Sequence, residues 1–250
     1  MIKTDTRVAD EELYSNYSRT SFFQDGYDKS SLKIMRIYAS AYFDINFSRH
    51  IKAPLDASII EVGCGNRRYL ARIKELGYTN LVGIDLSEDQ VAFARNELEL
   101  DCVFQAEANE WMKSKNECYD VIFCLDVMEH LELSDLIKLT KSFSCALKPG
   151  GKIIVQVPNS LSPFSPVFHG DLTHKRAFTQ SSLRQLFLHH GFSDVTVYES
   201  KIINGSWTTK ARQLLYSIFL RPCFYVCSLI IHGREEAGYY TQNLVVTISK

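Results

Sequence analysis

Two groups of residues have the types and spacing to do chemistry. The first is Glu61-Val-Gly-Cys-Gly65, where a β-branched run over 58–62 ends in paired glycines. Glycines at a strand-to-helix turn let the backbone approach a ligand closely, and the next helix N-terminus adds a partial positive charge. Asp85 ends the following apolar run, roughly twenty residues on, where a carboxylate can accept from both hydroxyls of a ribose. Its other reading is a strand-end acid beside a helix cap. Arg67 stands where a third glycine would complete a dinucleotide fingerprint, so the turn alone is a weak signature.

The second group gathers histidines and acids. His130 follows Glu129, and His174 closes Phe168-His-Gly-Asp171-Leu-Thr-His174. A neutral imidazole at either place could take a proton from an acceptor hydroxyl. The competing readings are local: His130 caps or packs, and His174 orders its loop by bonding Asp171. Asp126, Glu129 and His130, or His169, Asp171 and His174, could be read as metal donors. The first run is too short to define a site, and a polar loop folding over an acceptor accounts for the second, so no metal is expected. His189 and His190 precede Gly191, where cationic side chains suit a helix end.

The elements that must position these residues alternate. Helical spacing covers 31–47, 68–76, 88–98, 133–147 and 180–190; Ser87 is a fitting N-cap for the third. Strand-like runs cover 58–62, 80–85, 102–105, 119–125, 152–157, 194–199 and 242–248. Lys148-Pro-Gly-Gly151 is a breaker, and 159–179 reads as a long loop. Strands separated by helices of this length imply an α/β fold, a parallel sheet with helices on both faces. In open sheets of this kind ligands bind at the carboxyl ends of the strands. The expected division is an N-terminal arm and helix over 1–50 and a main domain over 51–250, with an acceptor-side loop at 160–180.

Composition sets limits. The chain has 250 residues, 46% hydrophobic and 23% charged, which is globular rather than disordered. Its formal net charge of −1 leaves no basic excess for nucleic acid, so no nucleic-acid partner is expected. Seven cysteines without a CxxC pair suggest neither a disulfide framework nor a zinc knuckle. The polar N-terminus carries no apolar segment of the signal-peptide kind, and a reducing cytoplasm fits.

Five ordered segments carry a resemblance. They are Glu61-Val-Gly-Cys-Gly65, Gly83-Ile-Asp-Leu-Ser87, Gln105-Ala-Glu-Ala108, Tyr119-Asp-Val-Ile-Phe-Cys-Leu-Asp-Val-Met-Glu-His-Leu131 and Leu147-Lys-Pro-Gly-Gly-Lys152. In order and spacing the chain resembles the class I S-adenosylmethionine-dependent methyltransferases. The resemblance implies a Rossmann-like seven-stranded sheet with its last strand antiparallel. It implies S-adenosylmethionine as cofactor and S-adenosylhomocysteine as product. Glu61 would lie near the methionine amino group, Gly63, Cys64 and Gly65 beneath the cofactor, and Asp85 on the ribose. Leu86 would pack on the adenine, Glu107 and Ala108 would face its amine, and Leu125 and Asp126 would lie by the methionine part. Nicotinamide-linked hydride transfer is the competing use of such a turn, and the two later motifs speak against it.

A looser similarity, through Gly170-Asp-Leu-Thr-His-Lys-Arg-Ala-Phe-Thr179, 183–187, Gly191-Phe192 and Asn243-Leu-Val, points to bacterial surface-polysaccharide and O-antigen methyltransferases. It implies O-methylation of a glycan precursor or other small molecule. From their placement, His174, His130 and Asp171 are the expected catalytic set. A quinone, lipid or other metabolite is the alternative acceptor, and a cofactor-binding scaffold without catalysis the alternative class.

The last informative segment is apolar. Residues 208–233 read as a helical insertion, and 214–231 is long enough for a membrane, but Arg221-Pro222 falls in its middle. The expectation is a helix broken at Pro222 that does not span. It would form a hairpin packed on the sheet or on a second copy of the chain. The alternative is peripheral contact at the inner face of the membrane, with Lys210, Arg212, Arg221 and Arg234 toward phosphate.

Overall fold

The computed structural model describes residues 29–65, 69–203, 206–233 and 238–250. The expectations placed on the N-terminal arm over 1–28, on Arg67 and on Arg234 lie outside the described residues.

Seven strands form one sheet: β1 (Ile59–Val62), β2 (Leu81–Asp85), β3 (Val103–Gln105), β4 (Tyr119–Leu125), β5 (Leu147–Pro158), β6 (Asp194–Glu199) and β7 (Asn243–Ser249). Their order is β3-β2-β1-β4-β5-β7-β6. β7 runs antiparallel to both neighbours and the other pairs are parallel. The carboxyl ends of β1, β2, β4, β5 and β6 therefore share one edge. Chain order reverses between β1 and β4, which opens a crevice at that edge.

Both faces of the sheet are covered, which is why its central strands are apolar without alternation; every residue of β1 is buried. On one face Phe43 of α1 (Lys29–Asn46) and Phe47 just after it pack against Phe123 of β4 and Tyr69 of α2 (Tyr69–Glu75). Arg72 of α2 holds Asp44 of α1 at 2.8 Å. Also on this face, α3 (Glu88–Leu98) buries Val91 and Ala94, with the Ser87 hydroxyl capping its first turn as expected. On the other face α5 (Leu133–Ala146) contributes Leu136, Leu139 and Phe143. Replacing one of these buried phenylalanines by alanine would cost about 3–5 kcal/mol.

Three local expectations are corrected. A short helix, α4 (Ala108–Lys113), follows β3 where none was expected. Strand β5 begins at Leu147, and the Lys148–Gly151 breaker is an irregularity inside it, between the Tyr119–Leu147 and Val121–Lys152 pairings. The 159–179 segment contains a helical turn, α6 (Pro166–His169), and is closed at its base by the Asn159–Phe178 bridge. It leads into α7 (Gln180–His189), whose end is stabilised by the His190 ring on the Leu186 carbonyl at 2.7 Å, in keeping with a structural role.

The largest correction concerns the apolar segment. It is neither broken at Pro222 nor folded into a hairpin. Helix α8 (Trp207–Leu215), a π-helical stretch (Tyr216–Leu220) and α9 (Arg221–His232) run on without interruption. Pro222 sits in the first turn of α9, and the wider turn before it accommodates the missing N–H.

Candidate active site

The cofactor side starts at the glycine turn. Gly63 and Gly65 have φ of +71° and +46°, a region that favours glycine. A Cβ on Gly63 would lie 2.2 Å from Val127 Cγ2. The Gly65 amide donates to Asp85 Oδ2 at 2.8 Å, and the Ser87 amide donates to Oδ1 at 2.9 Å. Asp85 is thus held at the mouth of the turn. A Cβ on Gly65 would enter the space between turn and acid, 3.8 Å from Asp85 Oδ2 and from Gln90 Oε1. Bare backbone facing a fixed carboxylate, with the exposed Leu86 beside it, fits a nucleoside carrying a ribose.

The remaining expected cofactor residues fall around this cradle. Glu61 is buried on β1. Cys64 is also buried; burial, then the charges of Glu61 and Asp85, pushes its thiol well above the usual value. It therefore acts as a small hydrophobe rather than a nucleophile. Glu107 caps α4, accepting from the Asn109 and Glu110 amides at 3.0 and 2.8 Å. A carboxylate has further lone pairs, so the cap leaves acceptor capacity beside Ala108. Leu125 is buried at the end of β4, and Asp126 follows with φ +54°.

Asp126 is fixed by a link that its sequence context does not announce. Gln156 Nε2 donates to Asp126 Oδ2 at 2.7 Å, and the Tyr42 hydroxyl donates to Gln156 Oε1 at 2.8 Å. Helix α1 thereby reaches the crevice through the buried Gln156 amide.

The acceptor side joins the turn after β4 to the loop after β5. The Lys175 and Arg176 amides both donate to the Glu129 carbonyl, at 2.8 and 3.0 Å. His174 does not bond Asp171 as one reading had it. Its Nδ1 faces the Phe168 carbonyl at 3.0 Å, and its Nε2 is 4.0 Å from Asp171 Oδ2. A carbonyl can only accept, so Nδ1 carries a proton, and Nε2 faces Glu129 Oε1 at 3.9 Å as well. His130 reaches the same state by another route. The Thr173 hydroxyl donates to Asp171 Oδ1 at 2.6 Å, so His130 Nδ1, 2.8 Å from that hydroxyl, must donate to it. Thr173 is the member of this cluster that sequence reasoning missed; the Asp-x-Thr spacing of a side-chain-capped turn was its only signal.

His130 and His174 lie with ring centroids 4.7 Å apart. Together with the buried Glu129 they offer ligand atoms within 4.8 Å of one another. One carboxylate and two neutral imidazoles are a donor set that could hold a divalent ion. Neither metal set weighed from sequence is the one brought together: among the described residues the group excludes Asp126, His169 and Asp171.

A sheet reversing between β1 and β4, an antiparallel β7 and a glycine turn bonded to the next strand's acid define the class: a class I methyltransferase that uses S-adenosylmethionine. Residues 37–197, more than half of the chain, match the family described as "Methyltransferase domain", and the chain belongs to it. Among solved structures it is similar to an S-adenosylmethionine-dependent methyltransferase from Archaeoglobus fulgidus, with a TM-score of 0.62 and 18% identity over 98% of this chain and 100% of that one. It is likewise similar to magnesium protoporphyrin IX methyltransferase from Synechocystis PCC 6803 with bound SAH, with a TM-score of 0.61 and 11% identity over 98% and 100%.

Two curated relatives match shorter stretches. A tRNA U34 carboxymethyltransferase from Nautilia profundicola is 30% identical over 100 residues, 39% of this chain and 33% of that protein. A ubiquinone biosynthesis O-methyltransferase from Agrobacterium fabrum is 30% identical over 122 residues, 46% and 47%. The chain thus spans less than half the length of these curated relatives.

Proposed function

We propose that this methyltransferase O-methylates a small molecule, a sugar hydroxyl on a glycan or lipid-linked saccharide precursor, as a cytoplasmic enzyme. The observation that carries the reading is the pair of imidazoles at the carboxyl edge, each with its Nδ1 proton committed to a fixed acceptor, so that Nε2 is the nitrogen available for proton exchange. A hydroxyl is a weak nucleophile until its proton has somewhere to go.

When bound, the cofactor supplies an electrophilic methyl on a cationic sulfur. Asp85 and the glycine turn hold its nucleoside end, and Glu61, Leu125 and Asp126 surround its methionine end. His174 Nε2 would accept the proton of the acceptor hydroxyl, whose oxygen would take the methyl as the sulfur–carbon bond breaks and S-adenosylhomocysteine leaves. His130 acts beside it, oriented through Thr173 by Asp171, and Glu129 balances the charge that the imidazoles gain. Alignment of oxygen, carbon and sulfur supplies the rest of the rate.

A quinone, lipid or similar metabolite is the second reading, favoured by the ubiquinone O-methyltransferase relative. The tRNA in the other relative's name is that protein's acceptor; a chain of formal charge −1 has no basic excess for a polyanion.

The test is release of S-adenosylhomocysteine by the full chain with nucleotide sugars, lipid-linked saccharides and quinols, beside Asp85→Ala and His174→Ala. Turnover with a saccharide, abolished by both variants while His174→Ala still binds cofactor, supports the proposal. Turnover only with quinols selects the second reading. Cofactor binding without turnover on any acceptor makes the chain a scaffold. Turnover lost to a chelator and restored by a divalent ion moves the histidines from proton acceptors to ligands.

A further inference from the structure

We infer that the helix from Trp207 to His232 is a membrane-docking element, lying in the surface of an anionic phospholipid layer and seating the carboxyl edge of the sheet against it. Within Trp207–Ile231 the most apolar 18-residue stretch has a mean hydropathy of 1.8, and none of that stretch is buried. A helix apolar on most sides is stable in a protein core or in lipid. This one is outside the core.

Its contacts with the domain form a narrow line. Gln213 Nε2 donates to the Ile202 carbonyl at 3.2 Å, Arg221 holds Glu199 at 3.0 Å, and the Phe224 ring lies 6.0 Å from that of Tyr240. Away from this line Trp207, Leu214, Ile218, Phe219, Val226 and Ile230 are all more than half exposed.

The Arg221 contact sets the orientation. Arg221 is near the middle of the helix, and Glu199 ends β6. The helix therefore runs along the domain. A span would carry this ion pair and the attached strand end toward the hydrocarbon centre, at a high desolvation cost. Lying in the interface keeps the pair on the domain side and leaves the apolar flank to the acyl region.

Charge identifies the occupant. Between Trp207 and His232 the sequence holds Lys210, Arg212 and Arg221 and no acidic residue. Lys210 and Arg212 are exposed beside Trp207. A second copy of this helix, in either direction, would offer these cations no carboxylate from its own length. Lipid phosphate supplies an anion to Lys210 and Arg212.

An independent observation lies on the same edge. The loop after β5 carries Phe164 and Leu172, which at 95% and 91% are the most exposed large apolar side chains among the described residues. Asn159, at the exit of β5, donates to the Tyr239 and Thr241 carbonyls, both at 2.9 Å, and so ties that exit to the chain leaving the helix. Apolar groups are thus gathered around the edge where the histidines sit. Docking does not depend on the acceptor proposed above.

The experiment is flotation of the full chain with vesicles of phosphatidylglycerol and phosphatidylethanolamine, beside vesicles of phosphatidylcholine. The wild type floats with the anionic vesicles and is released as salt rises. Lys210→Ala with Arg212→Ala lowers the bound fraction about tenfold or more. Ile218→Asp with Phe219→Asp abolishes flotation while the affinity for S-adenosylmethionine is unchanged, which shows that the variant is folded. Failure of the wild type to float overturns the proposal, as does salt-independent flotation or resistance to alkaline carbonate, the mark of a span. A concentration-dependent dimer that Phe219→Asp dissociates also overturns it, in favour of a second copy.

Discussion

Thr173 Oγ1 stands 2.8 Å from His130 Nδ1 and fixes which nitrogen of that ring carries the proton. The control passes from Asp171 through the hydroxyl, because the hydroxyl's own hydrogen is directed at the carboxylate. Thr173→Val keeps the shape of the side chain and removes the link. Turnover should fall about tenfold to hundredfold, as on loss of other partners that orient a functional histidine. Affinity for the cofactor should hold, and Thr173→Ser should restore activity. The rate against pH separates orientation from mere packing. Thr173→Val should move the acid limb of the profile, whereas a packing defect would lower the rate evenly.

The glycine turn tests the cofactor cradle in another way. Gly63→Ala would place its Cβ 2.2 Å from Val127 Cγ2 and strain φ of +71°. Both the turn and the strand end must shift, so binding of S-adenosylmethionine measured by titration should fall below detection. Gly191→Ala is the control. Its φ is +84°, but nothing lies within 4 Å of the added carbon. It should cost about 1 kcal/mol of stability with binding intact. If Gly63→Ala binds like the wild type, the turn is not the cradle.

These two sites also mark how far the sequence could be read. Gly63, Gly65 and Asp85 were legible because strand end, turn and next strand end follow in order, and the parallel β1–β2 pairing aligns them. The sheet was legible for the same reason: apolar runs punctuated by glycine and proline. The Tyr42–Gln156–Asp126 chain was not, because it joins residues 114 and 30 positions apart, and only the folded sheet brings them together. Thr173 gave a weak signal because a threonine in a loop satisfies many local turns. Pro222 misled outright. The rule that proline ends a helix presumes an ordinary α-helix before it, and here a π-helical stretch precedes it.

The Tyr42 link carries its own prediction. Tyr42→Phe removes the donor to Gln156 Oε1 and leaves a buried amide oxygen unmatched. The cost should be about 1 kcal/mol, read as a drop of about 2–4 °C in Tm. The Gln156 amide then loses the partner that fixes its orientation, and its grip on Asp126 weakens. Cofactor affinity should fall several-fold although Tyr42 belongs to the helix at the N-terminal side. Deletion of residues 1–47 should remove binding altogether, since it also strips Phe43 and Phe47 from the core. Unchanged affinity in Tyr42→Phe would confine α1 to a packing role.

His50 ties stability to pH. It is buried, its ring lies tilted 4.8 Å from that of Tyr198, and Arg49 Nε donates to its Nε2 at 3.0 Å. Burial first, then the charges of Arg49, Lys152, Lys52 and Lys201, lowers its pKa from 6.5 to about 4. The folded state therefore keeps His50 neutral where the unfolded chain would protonate it. Between pH 6.5 and about 4 the unfolded state binds more protons, so stability falls as pH falls through that window and levels off below it. The part due to His50 is at most about 3.5 kcal/mol, from roughly 1.4 kcal/mol per pKa unit. Urea unfolding at pH 7 and at pH 4.5 measures it. The wild type should lose more stability between the two than His50→Gln, which cannot titrate but keeps an acceptor for Arg49. Equal losses in the two proteins would place the acid sensitivity in the carboxylates instead, the Asp120–Lys148 pair at 2.7 Å among them.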